Sequence, residues 1–185
     1  MARTKREVDR EQKRKEIVSV AGSLFLRDGY EATTINRIAE QMNVAPNTLY
    51  WYFADKDALL IAVLDSLVTD SLSDYEKRKR ASLESQLLWL LELFSVARGL
   101  IASVHSRVEV SESVRAWHDG SHLLFEGVIE EQLRSRGLAR GHEAHAAKAT
   151  MFLIEGIHEH RLSSKEVRSL IRWLVSLVKP KRATA

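Results

Sequence analysis

Two groups of side chains in this sequence have types and spacings that could do chemistry. The first is Asn47, Tyr50 and Trp51, at i, i+3 and i+4 of one short helical stretch. That spacing gathers an amide, a phenol and an indole on one face. In the major groove of a DNA duplex the amide can bond a base edge, the phenol a phosphate, and the indole can pack on sugars or thymine methyls. The alternative is that Tyr50 and Trp51 pack against the rest of the protein. The second group is His118, His122 and Glu126, at i, i+4 and i+8 of another helical stretch. Those residue types suit a metal or anion site, but three neighbours on one helix rarely close a tetrahedral shell. Our expectation is therefore no metal. His142 with His145, and His158 with His160, read as surface or interface residues.

Composition narrows the field. The 185 residues include no cysteine, which excludes disulfides, thiolate zinc sites and cysteine nucleophiles. Hydrophobic residues make up 45% and charged residues 29%, enough apolar material for a core. Only two prolines and eight glycines occur, too few for a turn-rich β fold. The longest apolar run, Ala58 to Leu64, is too short to span a bilayer. With no apolar leader at the N-terminus, the expected compartment is the cytoplasm. Net charge is only +3. Its distribution is more telling: Lys and Arg outnumber acids in the first sixteen residues, from Arg3 to Lys15. Either a basic arm or a solvated terminus fits that excess.

The elements that must position these groups all repeat at helical spacing. Ile17, Val20, Ala21, Leu24 and Phe25 form one stripe between Glu11 and Asp28, stopped by Gly29. A second helix should start at Thr33 or Thr34 and carry Ile35, Ile38, Ala39 and Met42. Pro46 suits the first turn of a third helix ending near Phe53. Asp55 can cap a fourth, from Lys56 to about Arg80, and Lys77–Arg80 place cations at its negative end. Further helices are expected over Glu84–His105, Glu112–Arg136 and His142–His160. A last one follows the Ser163/Glu166 capping box and stops at Pro180.

Between Ile35 and Ala54 the layout is that of a helix-turn-helix. Two helices crossing steeply need a small residue at the contact, which Ala39 supplies. The reversal needs a positive φ, which Asn43 tolerates. Ile38, Met42, Val44, Leu49 and Tyr52 then fall at packing positions, and Leu49, Tyr52 and Phe53 point inward.

The run Thr33-Thr34, Ile38-Ala39, Val44, Thr48-Leu49-Tyr50-Trp51-Tyr52-Phe53, Lys56 and Leu59-Leu60 closely resembles the N-terminal domain of TetR-type (tetracycline-repressor-like) regulators. Phe25 and Gly29-Tyr30 match too, so the resemblance covers about residues 10 to 65. Asn43 stands where the family often has Gly, Ala45 where Ser is common, and Pro46-Asn47 where an x-Gly pair is frequent. The resemblance implies phosphate contacts at Thr34, Arg37, Tyr50, Tyr52 and Lys56. It implies groove contacts at Pro46, Asn47, Thr48 and Trp51, with Asn47 the best candidate for a base edge. It also implies an all-α fold: a helix-turn-helix domain over 1–56 with a basic arm, and a helical ligand-binding and dimerisation body over 57–185.

Within that body, the resemblance implies a homodimer through the last two helices. Ala149 and Gly156 give a small-residue side, and Val167, Leu170, Ile171, Trp173, Leu174, Leu177 and Val178 a broad apolar stripe. A pocket for a small-molecule effector would draw on Trp89, Phe94, Arg98, His105, Trp117, His118, His122, Phe125 and Phe152, although such aromatics are more often plain core. The expected partners are a near-palindromic DNA operator, a second copy of the chain and an inducer, with no cofactor and no membrane. A DNA-binding protein whose body recognises another protein is a second reading. A helical enzyme is a third, but no phosphate loop, dinucleotide turn or nucleophile elbow occurs.

Overall fold

The computed structural model describes residues 4–160 and 162–178. These form α1 (Lys5–Asp28), α2 (Ile35–Gln41), α3 (Pro46–Tyr50), α4 (Lys56–Arg78), α5 (Leu83–Val96), α6 (Arg98–Arg107), α7 (Glu112–Ser135), α8 (Glu143–Glu159) and α9 (Ser164–Val178). No strand occurs among the described residues, so the all-α expectation is met. None of the described helices is by itself long and apolar enough to cross a membrane.

The chain divides into two compact units. One comprises Met1–Asp74 with Val96–Trp117, the other Tyr75–Ser95 with His118–Ala185. The first unit therefore extends past residue 56. Its core joins the helix-turn-helix to α4 and α6: Ile17, Ala21, Phe25, Ile38, Leu49, Leu59, Leu60, Leu100 and Val104 are all but sealed from solvent. Each of these side chains larger than alanine stabilises the unit by about 1.5–3 kcal/mol relative to exposure. In the second unit the buried side chains include Leu87, Leu90, Leu91, Phe94, Leu133, Met151, Ile154, Ile171 and Leu174.

Four boundaries differ from the sequence expectation. The first helix starts at Lys5 rather than Glu11, because Thr4 and Glu7 form a capping box. The Thr4 hydroxyl accepts from the Glu7 amide and the Glu7 carboxylate accepts from the Thr4 amide at 2.8 Å. The expected basic arm is thus helical from Lys5 onward; Arg3 lies outside the described residues. α3 stops at Tyr50, and its carbonyl ends are met by tight turns in which Tyr52 and Phe53 amides both donate to Leu49. α4 stops at Arg78. The Gln86 amide donates to the carbonyls of Arg78, Lys79 and Ala81, and an Arg136 guanidinium nitrogen to those of Lys79 and Ala81. Side chains distant in sequence thus satisfy the carbonyls at and just past its C-terminus. Finally, the helix expected over Glu84–His105 is two helices, interrupted at Ala97, whose carbonyl accepts from the Leu100 and Ile101 amides to start α6. The Ser163/Glu166 capping box opens α9 as expected, while Pro180 lies outside the described residues.

Candidate nucleic-acid interface

The interface begins with the turn between α2 and α3. Thr34 caps α2 by accepting from the Arg37 amide at 3.1 Å. Ala39 is fully buried, which lets the two helices approach. Asn43 has φ 54°, and the reversal is closed by Asn43 N–H to the Glu40 carbonyl and Val44 N–H to the Ala39 carbonyl. A short polar side chain tolerates that left-handed conformation where a branched one does not. Pro46 then opens α3 at its first position, where a missing N–H costs nothing.

The two faces of α3 separate as their types require. Leu49 is 1% exposed, Phe53 is buried beside it and Tyr52 packs half-buried on the same core. Asn47, Tyr50 and Trp51 stand outside, Tyr50 54% and Trp51 81% exposed. Pro46 is exposed and Thr48 half-buried on the same surface. The alternative in which Tyr50 and Trp51 pack inside their own unit is thereby removed.

Beside this face lies a cleft of about 800 Å³, lined by Thr4, Arg6, Glu7, Asp9 and Arg10 from the start of α1 and by Thr48, Trp51 and Tyr52. Arg6 and Arg10 belonged to the presumed arm; helical structure instead holds them next to the α3 surface. The sequence carried the signal, since Thr4-x-x-Glu7 is a capping-box pattern. One turn further along α1, the Arg14 guanidinium sits 5.1 Å over the Phe53 ring.

The expected phosphate-binding residues are more engaged than their types suggest. Arg37 donates to Asp28 at 2.8 Å, and Arg27 shares that carboxylate. The Lys56 ammonium lies 4.0 Å over the Tyr30 ring, and burial lowers its pKa from the ordinary lysine value. The α4 N-terminus is already capped, Asp55 accepting from the Ala58 amide at 2.7 Å. Anchoring all of this is Asp57, which accepts from the Tyr30 hydroxyl and from Arg107 on α6 at 2.7 Å. Burial raises the Asp57 pKa, but the hydrogen bonds from Arg107, Tyr30 and Ser111 outweigh it and hold the carboxyl below its usual range. Burial together with the Asp57 contact raises the Tyr30 phenol.

Residues 17–63 match the bacterial regulatory proteins of the tetR family. Over that segment the chain carries the DNA-binding domain of the tetR family. It is 22% identical over 148 residues to the fatty acid metabolism regulator protein of Bacillus subtilis, covering 74% of this chain and 76% of that protein. It is 40% identical over 58 residues to the regulator HbdR of Aromatoleum, but that match covers only 31% of this chain and 25% of the relative. The TetR fold extends over the rest. A regulator from Saccharomonospora viridis, solved in complex with choline, superposes with a TM-score of 0.72 at 17% identity over 90% of this chain and 96% of its own. A TetR regulator from Haloarcula marismortui gives 0.74 at 16% identity over 91% and 97%. These relatives are regulators, not enzymes.

The body residues named from sequence are spread over both units. Arg98, His105 and Trp117 belong to the first, where Arg98 and His105 are exposed and the Trp117 indole N–H donates to Asp65 at 2.8 Å. The other six belong to the second unit. Trp89 stacks on Tyr75 and under Arg78. Phe94 is buried edge-on to Phe125 and stacked with His158. Phe152 is 56% exposed beside Lys148, so it is surface rather than the wall of an internal pocket. His118 and His122 lie ring against ring, and His122 reaches Glu155 of α8, 33 positions along the chain, a partner that spacing on one helix does not reveal.

The expected dimer stripe divides as well. Ile171, Leu174 and Val178 are at most 8% exposed, because α9 turns them into its own unit's core; they are corrected from interface to core. Trp173 and Leu177 face outward at 57% and 59%, while Val167 and Leu170 are half-buried. On α8, Ala149 is exposed, and around Gly156 nothing lies within 4 Å of where a Cβ would stand.

Proposed function

We propose that this chain is a TetR-type regulator, a homodimeric repressor that holds a near-palindromic operator and is released from it by a small molecule. The outward Tyr50 and Trp51 on a buried helix-turn-helix frame carry the DNA half of this reading. Asn47 reads a base edge, Trp51 packs on sugars or methyl groups, and Tyr50, Thr34 and Arg37 bond phosphates. Arg6 and Arg10 add charge beside the same face. One five-residue helix contacts too few bases for specificity, so two copies bind half-sites about 34–36 Å apart, or a multiple of that. The outward Trp173, Leu177 and Phe152 of α8 and α9 supply the apolar surface for pairing.

The effector acts by population shift: it binds best to the form with lower operator affinity and weakens DNA binding by its differential affinity. A neighbour of this fold was crystallised with choline, and a relative is named for fatty acid metabolism, which supports a small organic effector in the body over residues 57–185. The protein acts where its operator is, in the cytoplasm.

The deciding experiment is Tyr50→Ala with Trp51→Ala, assayed by gel shift on the DNA upstream of the protein's own gene. We expect loss of specific binding with circular dichroism and oligomeric state unchanged. Retained operator affinity refutes the assignment of α3.

A further inference from the structure

The cluster around His122 has no part in the DNA-binding reading. His118 and His122 stand one turn apart on α7 with ring centroids 4.4 Å apart. From α8, Glu155 brings a carboxylate oxygen to 3.0 Å from His122 Nε2. The ligand atoms of His118 and Glu155 lie within 4.8 Å of each other. All three residues belong to the second unit, with side chains 23%, 19% and 23% exposed for His118, His122 and Glu155. They are shielded enough to be ordered and open enough for an ion to enter.

The donor chemistry is specific. His118 Nδ1 lies 3.0 Å from the Asp119 carboxylate, which can only accept; with its proton on Nδ1, the neutral imidazole offers Nε2 as the ligand atom. This is the outer carboxylate–imidazole arrangement that orients metal-binding histidines. Tetrahedral zinc with Zn–N near 2.0–2.1 Å sets its ligand atoms roughly 3.3–3.4 Å apart. Of the observed separations, the 3.0 Å between His122 Nε2 and the Glu155 carboxylate lies close to that spacing, and the ligand atoms of His118 and Glu155 lie within 4.8 Å. Two imidazoles and one carboxylate, without a thiolate, suit zinc-class ions rather than magnesium or calcium. The ion replaces the proton shared between His122 and Glu155 and takes lone pairs from all three groups.

We propose that His118, His122 and Glu155 bind one divalent transition-metal ion of the zinc class, with Asp119 orienting His118. Three protein ligands leave a fourth position for water or for a donor atom of a small molecule. Glu126, the carboxylate that helical spacing suggested, gives way to Glu155 as the ligand.

The test uses full-length protein stripped with a chelator and titrated with Co²⁺. We expect one Co²⁺ per chain, a visible absorption band of four-coordinate cobalt, and its displacement by Zn²⁺. His118→Gln, His122→Gln and Glu155→Gln should each lower Zn²⁺ affinity at least 100-fold, and Asp119→Asn about tenfold. His142→Ala with His145→Ala should leave it unchanged. Circular dichroism establishes that each variant is folded; for one that is not, the Ala substitution at the same position is read instead. Failure to bind Co²⁺, binding unaffected by the three ligand variants, or binding abolished by the His142/His145 pair overturns the proposal. None of these readouts involves DNA, so failure here leaves the assignment of α3 intact.

Discussion

Replacing Asp57 tests the tie that holds the helix-turn-helix on its support. Asp57 is 9% exposed and Tyr30 2%, so the phenol that donates to this carboxylate has no ready access to water. Arg107 is less enclosed, its side chain 28% exposed, and donates to the same carboxylate at 2.7 Å. Asp57→Ala strands both donors. A buried hydroxyl left without an acceptor costs about 1–3 kcal/mol. Removing one partner of a buried ion pair costs about 3–5 kcal/mol, which the exposure of Arg107 cuts to about half because water reaches the stranded guanidinium. We expect a total near 3–4 kcal/mol on these bases. Asp57→Asn keeps an acceptor for Tyr30 and loses only the charge, so it should cost about 1–2 kcal/mol. In a unit of about 100 residues each kcal/mol moves the melting midpoint by about 4–8 °C, so the alanine variant should melt at least ~12 °C lower.

The assay has to report on the first unit alone. Of the four tryptophans, Trp51 and Trp117 belong to that unit and Trp89 and Trp173 to the other. Urea melts followed by fluorescence in a Trp89→Phe/Trp173→Phe background therefore isolate it. A loss below about 1 kcal/mol for Asp57→Ala, or an equal loss for Asn and Ala, refutes the reasoning. In the cycle with Arg107→Ala the coupling should reach about 1–3 kcal/mol; strict additivity would mean that the ion pair contributes nothing.

Three other outcomes are expected. The depressed folded pKa of Asp57 means that its contribution is present above the unfolded value of 3.8 and lost as pH falls through the folded one. The urea midpoint of the first unit should therefore drop on acidification from about pH 5 to pH 3, with a shallower slope in Asp57→Asn. At Asn43, whose φ is 54°, valine should destabilise by about 1–2 kcal/mol while glycine stays within about 1 kcal/mol of wild type; equal melts for the two would contradict the left-handed turn. Trp173→Asp with Leu177→Asp should give monomers in light scattering, and an intact dimer would locate the interface on another surface.

What sequence revealed and what it hid follow the range of the interactions. The helix-turn-helix was legible because Ala39, Asn43 and Leu49 satisfy its demands within eleven residues, each through its own backbone preference or size. The start of α1 was missed although Thr4 and Glu7 spell it. The apolar stripe begins only at Ile17, and residues 5–16 are polar apart from the single exposed Val8. The break at Ala97 left no trace, since no proline marks it and apolar spacing continues through Leu100 and Val104. The caps supplied to the end of α4 by Gln86 and Arg136 come from residues 8 and 57 positions beyond the groups they serve. So does the Glu155 that meets His122. Periodicity on one helix reports which side is apolar, and it carries no information about what a second helix brings to that side.

That distinction explains why two exposed tryptophans call for different partners. On α9 the apolar stripe is wider than one protomer can cover. Ile171, Leu174 and Val178, at i, i+3 and i+7, fill the unit's core, and Trp173 and Leu177 are the surplus. Their apolar company on α9, with no charge needed to explain it, fits a second apolar surface of the same kind. On α3 the inward side is complete with Leu49 and Phe53, and Trp51 stands 81% exposed across a cleft from Arg6 and Arg10. An apolar partner there would have to desolvate the guanidinium groups of Arg6 and Arg10 together with the Glu7 and Asp9 carboxylates that line the same cleft. A polyanion with flat sugar and base surfaces suits the arginines and the indole at once: its phosphates take the arginines and its grooves take the indole. The same side chain, exposed at two places, is read by its neighbours, and under the proposed function the α3 neighbours are the ones suited to nucleic acid.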